Sequence, residues 1–434
     1  MDNSIDQRAP GSQHGAPQLI SVRIPAGWTL VGLIAGIAAG FALSRTAAIG
    51  PALAVAEPVG TLWLRALQVT IVPLVAALLV LGIAQMAQAA RAGAAARRML
   101  GWVFAVLLAS GTISVLLTPL LLDLFPPPAA AAGVLSAGGT SQEVPGIAAF
   151  VESLIAPNIV AAAAETAMLP LTLFFAAFAL ALAGLPADQR TLLLGVFRAL
   201  ANTMLRIIGW VLWAAPVGVF ALALGVGAAS GGAAFATLAH YILIVVAVGT
   251  VVFLGAYLIA WLAGGIAPLR FARAIIPAQS VALSTQSSLA SLPAMLDSAG
   301  RLNLREETAE FVLPLAVAIF RATSPAMNLA VAIYVAHLAG VELTPLNLAA
   351  GVAVAFVIAI GSVSLPGTIS FVISVGPIAL AMGAPIGPLA LLVAVEMMPD
   401  LMRTLGNVTA DVALAAAVDR KSGEAPQPDA PLVH

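Results

Sequence analysis

The chain of 434 residues is 61% apolar and 9% charged, with a mean hydropathy of +1.07 and a formal net charge of −1. Soluble domains carry about a quarter charged residues, so this composition describes a polytopic membrane protein, and the near-neutral balance points to no nucleic-acid partner. Cysteine is absent, which excludes disulfides, thiol catalysis and thiolate metal sites.

Residues 1–20 are polar and Pro/Gly-containing without the short apolar core of a secretory signal, and residues 1–25 read as a cytoplasmic tail. Apolar stretches of spanning length follow at about 27–44, 57–88, 100–122, 146–182, 191–224, 237–264, 308–338 and 386–418. Several exceed the roughly 20 residues that a crossing needs, which predicts tilted or broken helices. Two further segments do not read as simple spans. Residues 272–298 are too polar, and residues 347–380 would run roughly 50 Å as one helix yet are interrupted by Gly361-Ser-Val-Ser-Leu-Pro-Gly367. Both carry serine-rich tips ending in Leu-Pro: Ser288-Leu-Ala-Ser291-Leu292-Pro293 and Ser362-Val-Ser364-Leu365-Pro366. Irregular backbone at membrane depth survives only where protein or an aqueous cavity satisfies it, and paired interrupted segments mark a transporter's binding site. The expected architecture is all-α: eight transmembrane helices plus two re-entrant helical hairpins, with both tails (1–25 and 419–434) cytoplasmic. The alternative is that each tip is a Ser/Pro kink in an ordinary span.

Basic residues fit that topology. Arg8, Arg23, Arg91, Arg97, Arg98, Arg190, Arg270, Arg273, Arg301, Arg305, Arg420 and Lys421 all fall inside, whereas Arg45 is the one basic residue in an outer loop and Glu57, Asp123, Glu143 and Glu342 make those loops acidic.

The last span carries the chemistry. Glu396, Asp400, Arg403, Asn407 and Asp411 fall at roughly 0, 40, −20, 20 and 60° around a helix, one narrow polar stripe. Ionisable groups at this depth cost several kcal/mol unless they face protein, water or ligand, so the stripe is a candidate site. Arg403 offers a planar fork for a carboxylate, Asp400 can hold an ammonium, and Thr404 and Asn407 add neutral hydrogen bonds. An internal Asp400–Arg403 pair that satisfies itself is the alternative. No metal-ligand cluster, phosphate loop or nucleophile–base pair is legible, so an enzyme is not expected.

Together these features resemble the dicarboxylate/amino acid:cation symporter family, which includes glutamate/aspartate transporters, over roughly residues 25–420. The resemblance rests on Leu64-Arg65 with Val72-Pro73, Pro157-Asn158-Ile-Val-Ala with Met168-Leu-Pro170, Gly209-Trp210 with Ala215-Pro-Val-Gly-Val-Phe-Ala221, both hairpin tips, and the final Asp-x-x-Arg-Thr-x-x-Asn-x-x-x-Asp helix. It implies glutamate-transporter-like inverted repeats and a homotrimer in a bacterial inner membrane. It also implies a scaffold of residues 26–99 and 146–224, past which a transport domain of residues 100–122 and 237–418 slides like an elevator. By the same resemblance Asp400, Arg403, Thr404 and Asn407 bind an acidic amino acid. The tips contribute Ser287, Ser288, Ser291, Ser362, Ser364 and Gly367, and relatives that carry C4-dicarboxylates tend to lack the acid at Asp400. For any one tip serine the competing role is a hydrogen bond within its own turn.

One departure bears on ion coupling. Where the family's seventh span carries Asn-Met-Asp-Gly, whose groups ligate sodium, this chain reads Phe320-Arg321-Ala322-Thr323, and in span 3 it has Ala105 and Ala109-Ser110. The family's Asp and Met become Ala322 and Arg321, adding about two positive charges, as two sodium ions would; against relatives with Arg at the position of Gln286 the gain is about one. Arg321 therefore reads as a built-in substitute cation, with Glu396, Asp400 or Asp411 as its partners; direct substrate binding and a structural salt bridge are the other two roles. No cofactor is expected beyond Na+ or H+ as coupling ion, and partners are a small anionic substrate and the lipid bilayer. A proton on Glu396, Asp400 or Asp411 and uncoupled exchange both remain open as drivers, although Asn328 stands where some relatives place a proton-carrying glutamate. The reading is a secondary active transporter for an acidic amino acid or related dicarboxylate with reduced or no sodium dependence. Its competitors are a proton-coupled C4-dicarboxylate transporter, a non-transporting membrane sensor and an anion channel.

Overall fold

A computed structural model describes residues 26–91, 93–128, 154–230, 233–361 and 367–420, together with Ala131 and Glu152. The described residues fold into helices only: α1 (Ala26–Leu43), α2 (Ile49–Gln68), α3 (Ile71–Ala90), α4 (Ala94–Leu124), α5 (Ile159–Ala164), α6 (Met168–Leu182), α7 (Ala187–Trp213), α8 (Ala215–Ser230), α9 (Ala233–Leu262), α10 (Pro268–Thr285), α11 (Leu292–Arg301), α12 (Glu306–Ile319), α13 (Ser324–Leu338), α14 (Pro345–Gly361), α15 (Gly367–Ala381), α16 (Leu389–Leu392) and α17 (Met397–Arg420). Six helical stretches among them are long and apolar enough to cross a membrane, and shorter apolar helices lie at 27–43, 168–182, 215–229 and 345–360.

Several of the long apolar stretches break, whereas residues 237–262 run unbroken in α9. The described part of residues 146–182 gives α5 and α6, separated where Thr166 takes a left-handed φ of 53°; Asn158 caps α5 by accepting from the N–H groups of Val160 and Ala161. Residues 308–338 divide at Phe320–Thr323, and α13 restarts with Pro325 in its first turn. The last stretch also divides, because residues 393–396 form turns between α16 and α17. Glu396 therefore precedes the helix rather than lying within it, although its carbonyl accepts from the N–H of Asp400 as a helical residue's would.

Packing separates an exposed periphery from a buried centre. α1 lies along α8 through Gly32, Gly36 and Gly40, where a Cβ would fall 2.4, 2.5 and 2.1 Å from the carbonyl oxygens of Pro216, Phe220 and Leu224. Small residues at this spacing let two backbones meet closely. α7 buries one face only, at Ala201, Leu205, Ile208 and Leu212. By contrast, every residue of α13 from Ser324 to Ala336 is buried, as is nearly all of α17 beyond Arg403. A helix apolar around its whole circumference is one enclosed on all sides. α17 packs on α4, α9, α10, α11, α12 and α15, and α13 on α4, α9, α14 and α15.

The two odd segments form helix pairs: α10 packs on α11 and α14 on α15. The first pair runs somewhat beyond the expected 272–298, and Gln286, in the left-handed region at φ 51°, turns the chain. It is tied to its neighbours through Gln279, whose Nε2 donates to Tyr257 on α9 and to Thr409 on α17, both at 3.1 Å.

Candidate functional site

The site grows from the break between α12 and α13. Interrupting a buried helix frees N–H and C=O groups that must find partners, and two neighbouring helices supply them. On α4, Ser110 Oγ donates to the carbonyl of Ala322 at 2.6 Å and accepts from the N–H of Ala326 at 3.2 Å. On α17, Asn407 Oδ1 accepts from the N–H of Thr323 at 3.0 Å, which fixes that amide's orientation because a backbone N–H only donates. The Thr323 hydroxyl shares its one proton between Asn407 Oδ1 at 2.8 Å and the carbonyl of Arg403 at 3.1 Å. Opposite it, α17 has Gly406, where a Cβ would lie 2.4 Å from Thr323 Cγ2. Glycine is required there by the close approach.

The break thus sits against the polar stripe of α17. Glu396, Asp400, Arg403, Thr404, Asn407 and Asp411 are all buried, at 5% exposure or less. The structure brings three of them into one network. Arg403 Nη1 donates both to Glu396 Oε1, in a short charged contact, and to Asp400 Oδ1 at 3.2 Å; its Nη2 donates to Asn328 on α13 at 3.4 Å. Tyr241 on α9 donates to Glu396 Oε2 at 3.3 Å. The internal Asp400–Arg403 pair is therefore present, enlarged by Glu396. Glu396 consequently serves Arg403 and not Arg321, contrary to one of the pairings expected for Arg321.

Two charges are left over. Arg321 is buried at 7% exposure, and among the described residues it forms no ion pair or side-chain hydrogen bond; its electrostatic neighbours are Asp400, Arg403 and Asp411. Asp411 is fully buried with neither carboxylate oxygen hydrogen-bonded, and Arg321 is its charged neighbour. Arg403 Nε is likewise buried without an acceptor. Fully ionised, two guanidiniums face three carboxylates, one cation short of neutrality before any anion is bound.

The hairpin tip is more self-contained. Ser287 Oγ accepts from the N–H of Ala290, and Ser291, buried, donates to the carbonyl of Ser287. Ser288 is half-buried, and no hydrogen bond joins these serines to the charged network among the described residues. Ser362 and Ser364 lie outside the described residues, and Gly367 is the first residue of α15.

Sequence reasoning missed Tyr241. The signal was available, since the chain has three tyrosines and a phenol inside an apolar span needs a partner for its hydroxyl. It also gave Ser110 and Thr323 no role. Their hydroxyls serve a backbone break whose position the sequence marks only through Pro325.

Buried helices enclosing a charged network beside an interrupted helix define a membrane protein of the carrier class, in which a polar solute is met within an apolar body. A profile of the sodium:dicarboxylate symporter family matches residues 26–421, and the chain belongs to that family. The proton/glutamate-aspartate symporter of Escherichia coli (strain K12) is 29% identical over 379 residues, covering 84% of each chain. The neutral amino acid transporter B(0) of Bos taurus is 27% identical over 424 residues, 88% of this chain and 77% of its own. The C4-dicarboxylate transport protein 1 of Pseudomonas aeruginosa (strain UCBPP-PA14) is 26% identical over 297 residues, 68% and 65% respectively.

Proposed function

We propose that the protein is a secondary active transporter of elevator type for an acidic amino acid such as aspartate or glutamate, or a related dicarboxylate, with reduced or no sodium dependence. The observation that carries this reading is Arg403. It is a buried guanidinium with an unmatched Nε–H, held beside Asp400 on a helix that at least six others contact. A substrate carboxylate takes donors from Arg403, and an ammonium takes Asp400. Binding an anion to a cluster already short of positive charge calls for a co-transported cation. A proton on Glu396, Asp400 or Asp411 supplies it without sodium, and the similar E. coli protein is described as a proton symporter.

The architecture proposed around this site has eight crossings and two re-entrant hairpins, the latter supported by the α10–α11 and α14–α15 pairs. The scaffold would be residues 26–99 and 146–224 and the transport domain residues 100–122 and 237–418. The assembly would be a homotrimer in a bacterial inner membrane with both termini cytoplasmic, as the arginine distribution favours. The protein would move its substrate without chemical change.

One observation favours a second reading. Asp400 is already engaged by Arg403, and a C4-dicarboxylate without an amino group would leave that pair intact. The test is uptake of labelled L-aspartate into proteoliposomes with choline replacing sodium on both sides, with and without a pH gradient, in competition with succinate. Sodium-free, proton-stimulated uptake with weak succinate inhibition is expected. Strong succinate inhibition selects the dicarboxylate reading, uptake confined to sodium medium rejects the altered coupling, and substrate binding without flux identifies a sensor.

A further inference from the structure

Asp411 and Arg321 are the two charges that the network around Arg403 does not absorb. Asp411 is an acceptor-only group with no exposure and no hydrogen bond, an arrangement that is strongly unfavourable for a carboxylate in low dielectric unless a cation stands nearby. Arg321 is a donor-only group that hydrogen-bonds to no acceptor among the described residues; Asp400 is its strongest charged neighbour and Asp411 a further one, whereas Asp411 has Arg321 as its charged neighbour. Their placement is fixed by the backbone. Arg321 lies in the break two residues before Thr323, which is bound to Asn407 through both its N–H and its hydroxyl. Asn407 precedes Asp411 by four residues, so the two share one face of α17. Gly406 allows the approach.

We infer that Arg321 is the resident counter-cation of Asp411, a tethered guanidinium in the place that a small monovalent cation would otherwise take. The inference rests on the cluster being the transport site and deepens its ion requirement, but not on which substrate is carried. A guanidinium cannot dissociate from its chain, so its charge is present in every state of the transport cycle. An ion drawn from solution would be present only when bound, and its gradient would then drive uptake. With Arg321 in place, the sodium gradient has no purchase at Asp411. Without it, Asp411 becomes a bare buried carboxylate beside an interrupted helix, and a small hard cation such as sodium, which takes oxygen ligands, is drawn to it.

The experiment is a sodium titration of thermal stability in the absence of substrate, with choline as control, on purified full-length wild type, D411N, R321M and R321M/D411N. Ligand binding to the folded state stabilises it by RT ln(1 + [L]/Kd) and so raises Tm as the ligand concentration climbs above Kd, and the double-mutant comparison isolates the part that passes through Asp411. Wild type and D411N are expected to respond identically to sodium. R321M is expected to gain a sodium-specific rise of about 3 °C or more between low millimolar and several hundred millimolar salt, and R321M/D411N to lack it. A wild-type sodium response that D411N removes overturns the inference, and so does an R321M response no greater than wild type. Should R321M not fold, R321Q takes its place; the wild-type and D411N pair is decisive against the inference in either case. Failure of aspartate uptake bears on the substrate reading and leaves this measurement intact.

Discussion

Thr323 and Asn407 are joined by two hydrogen bonds that tie an interrupted helix to a continuous one: the N–H and the hydroxyl of Thr323 both reach Asn407 Oδ1, at 3.0 and 2.8 Å. The contact performs the task that the missing helical hydrogen bonds would have performed. It also sets the break against Arg403, whose carbonyl lies 3.1 Å from the same hydroxyl. Backbone geometry and the charged stripe are therefore one assembly.

Asn407→Ala leaves the Thr323 N–H buried without an acceptor, a loss of about 1–3 kcal/mol. Thr323→Val deletes only the hydroxyl and leaves the N–H bonded to Asn407, so it should cost less. Thermal unfolding of the two variants in parallel checks this, and equal destabilisation by both would count against the N–H contact as the cause.

At an ordinary helical position Gly→Ala stabilises by about 1 kcal/mol. Gly406→Ala should do the reverse and cost about 1–3 kcal/mol, because the new methyl would lie 2.4 Å from Thr323 Cγ2. Thr323→Ser removes that methyl while keeping the hydroxyl. The Gly406→Ala/Thr323→Ser pair should therefore be more stable than Gly406→Ala alone, and a purely additive result would show that the two residues do not compete for the same space.

Arg403→Ala removes the cation between Glu396 and Asp400 and leaves two buried carboxylates uncompensated, a change of about 3–5 kcal/mol. Acidic-substrate binding should be lost. Arg403→Lys keeps the charge but not the fork that reaches Glu396, Asp400 and Asn328 together, so binding should weaken at least about tenfold. Calorimetric titration with aspartate measures both, and unchanged affinity in Arg403→Ala would move the substrate elsewhere.

Tyr241→Phe deletes the hydroxyl that donates to Glu396 while conserving the buried ring. A hydrogen bond to a charged group is worth about 1.5–3 kcal/mol. The effect should be seen in affinity as well as in Tm, because Glu396 orients Arg403. A fall in Tm with no change in affinity would make Tyr241 structural only.

Composition and spacing by themselves determined that this chain lives in a bilayer and that its last span carries a polar stripe, because burying charge in an apolar medium is costly enough to leave a legible pattern. The same logic marked the two interrupted segments and showed that Arg321 is a charge in need of a reason. Composition could not say how the charges pair. By spacing alone Glu396, Asp400 and Asp411 were equal candidates for Arg321, and only the tertiary structure gave Glu396 to Arg403, set Asp400 in contact with Arg403 and near Arg321, and left Asp411 with Arg321 as its charged neighbour. Nor could it assign Ser110, Tyr241 or Thr323, whose partners lie 212, 155 and 84 residues away in the chain. Helical periodicity is a local property and is written in the sequence. Which buried donor meets which acceptor depends on how helices cross, and packing decides that.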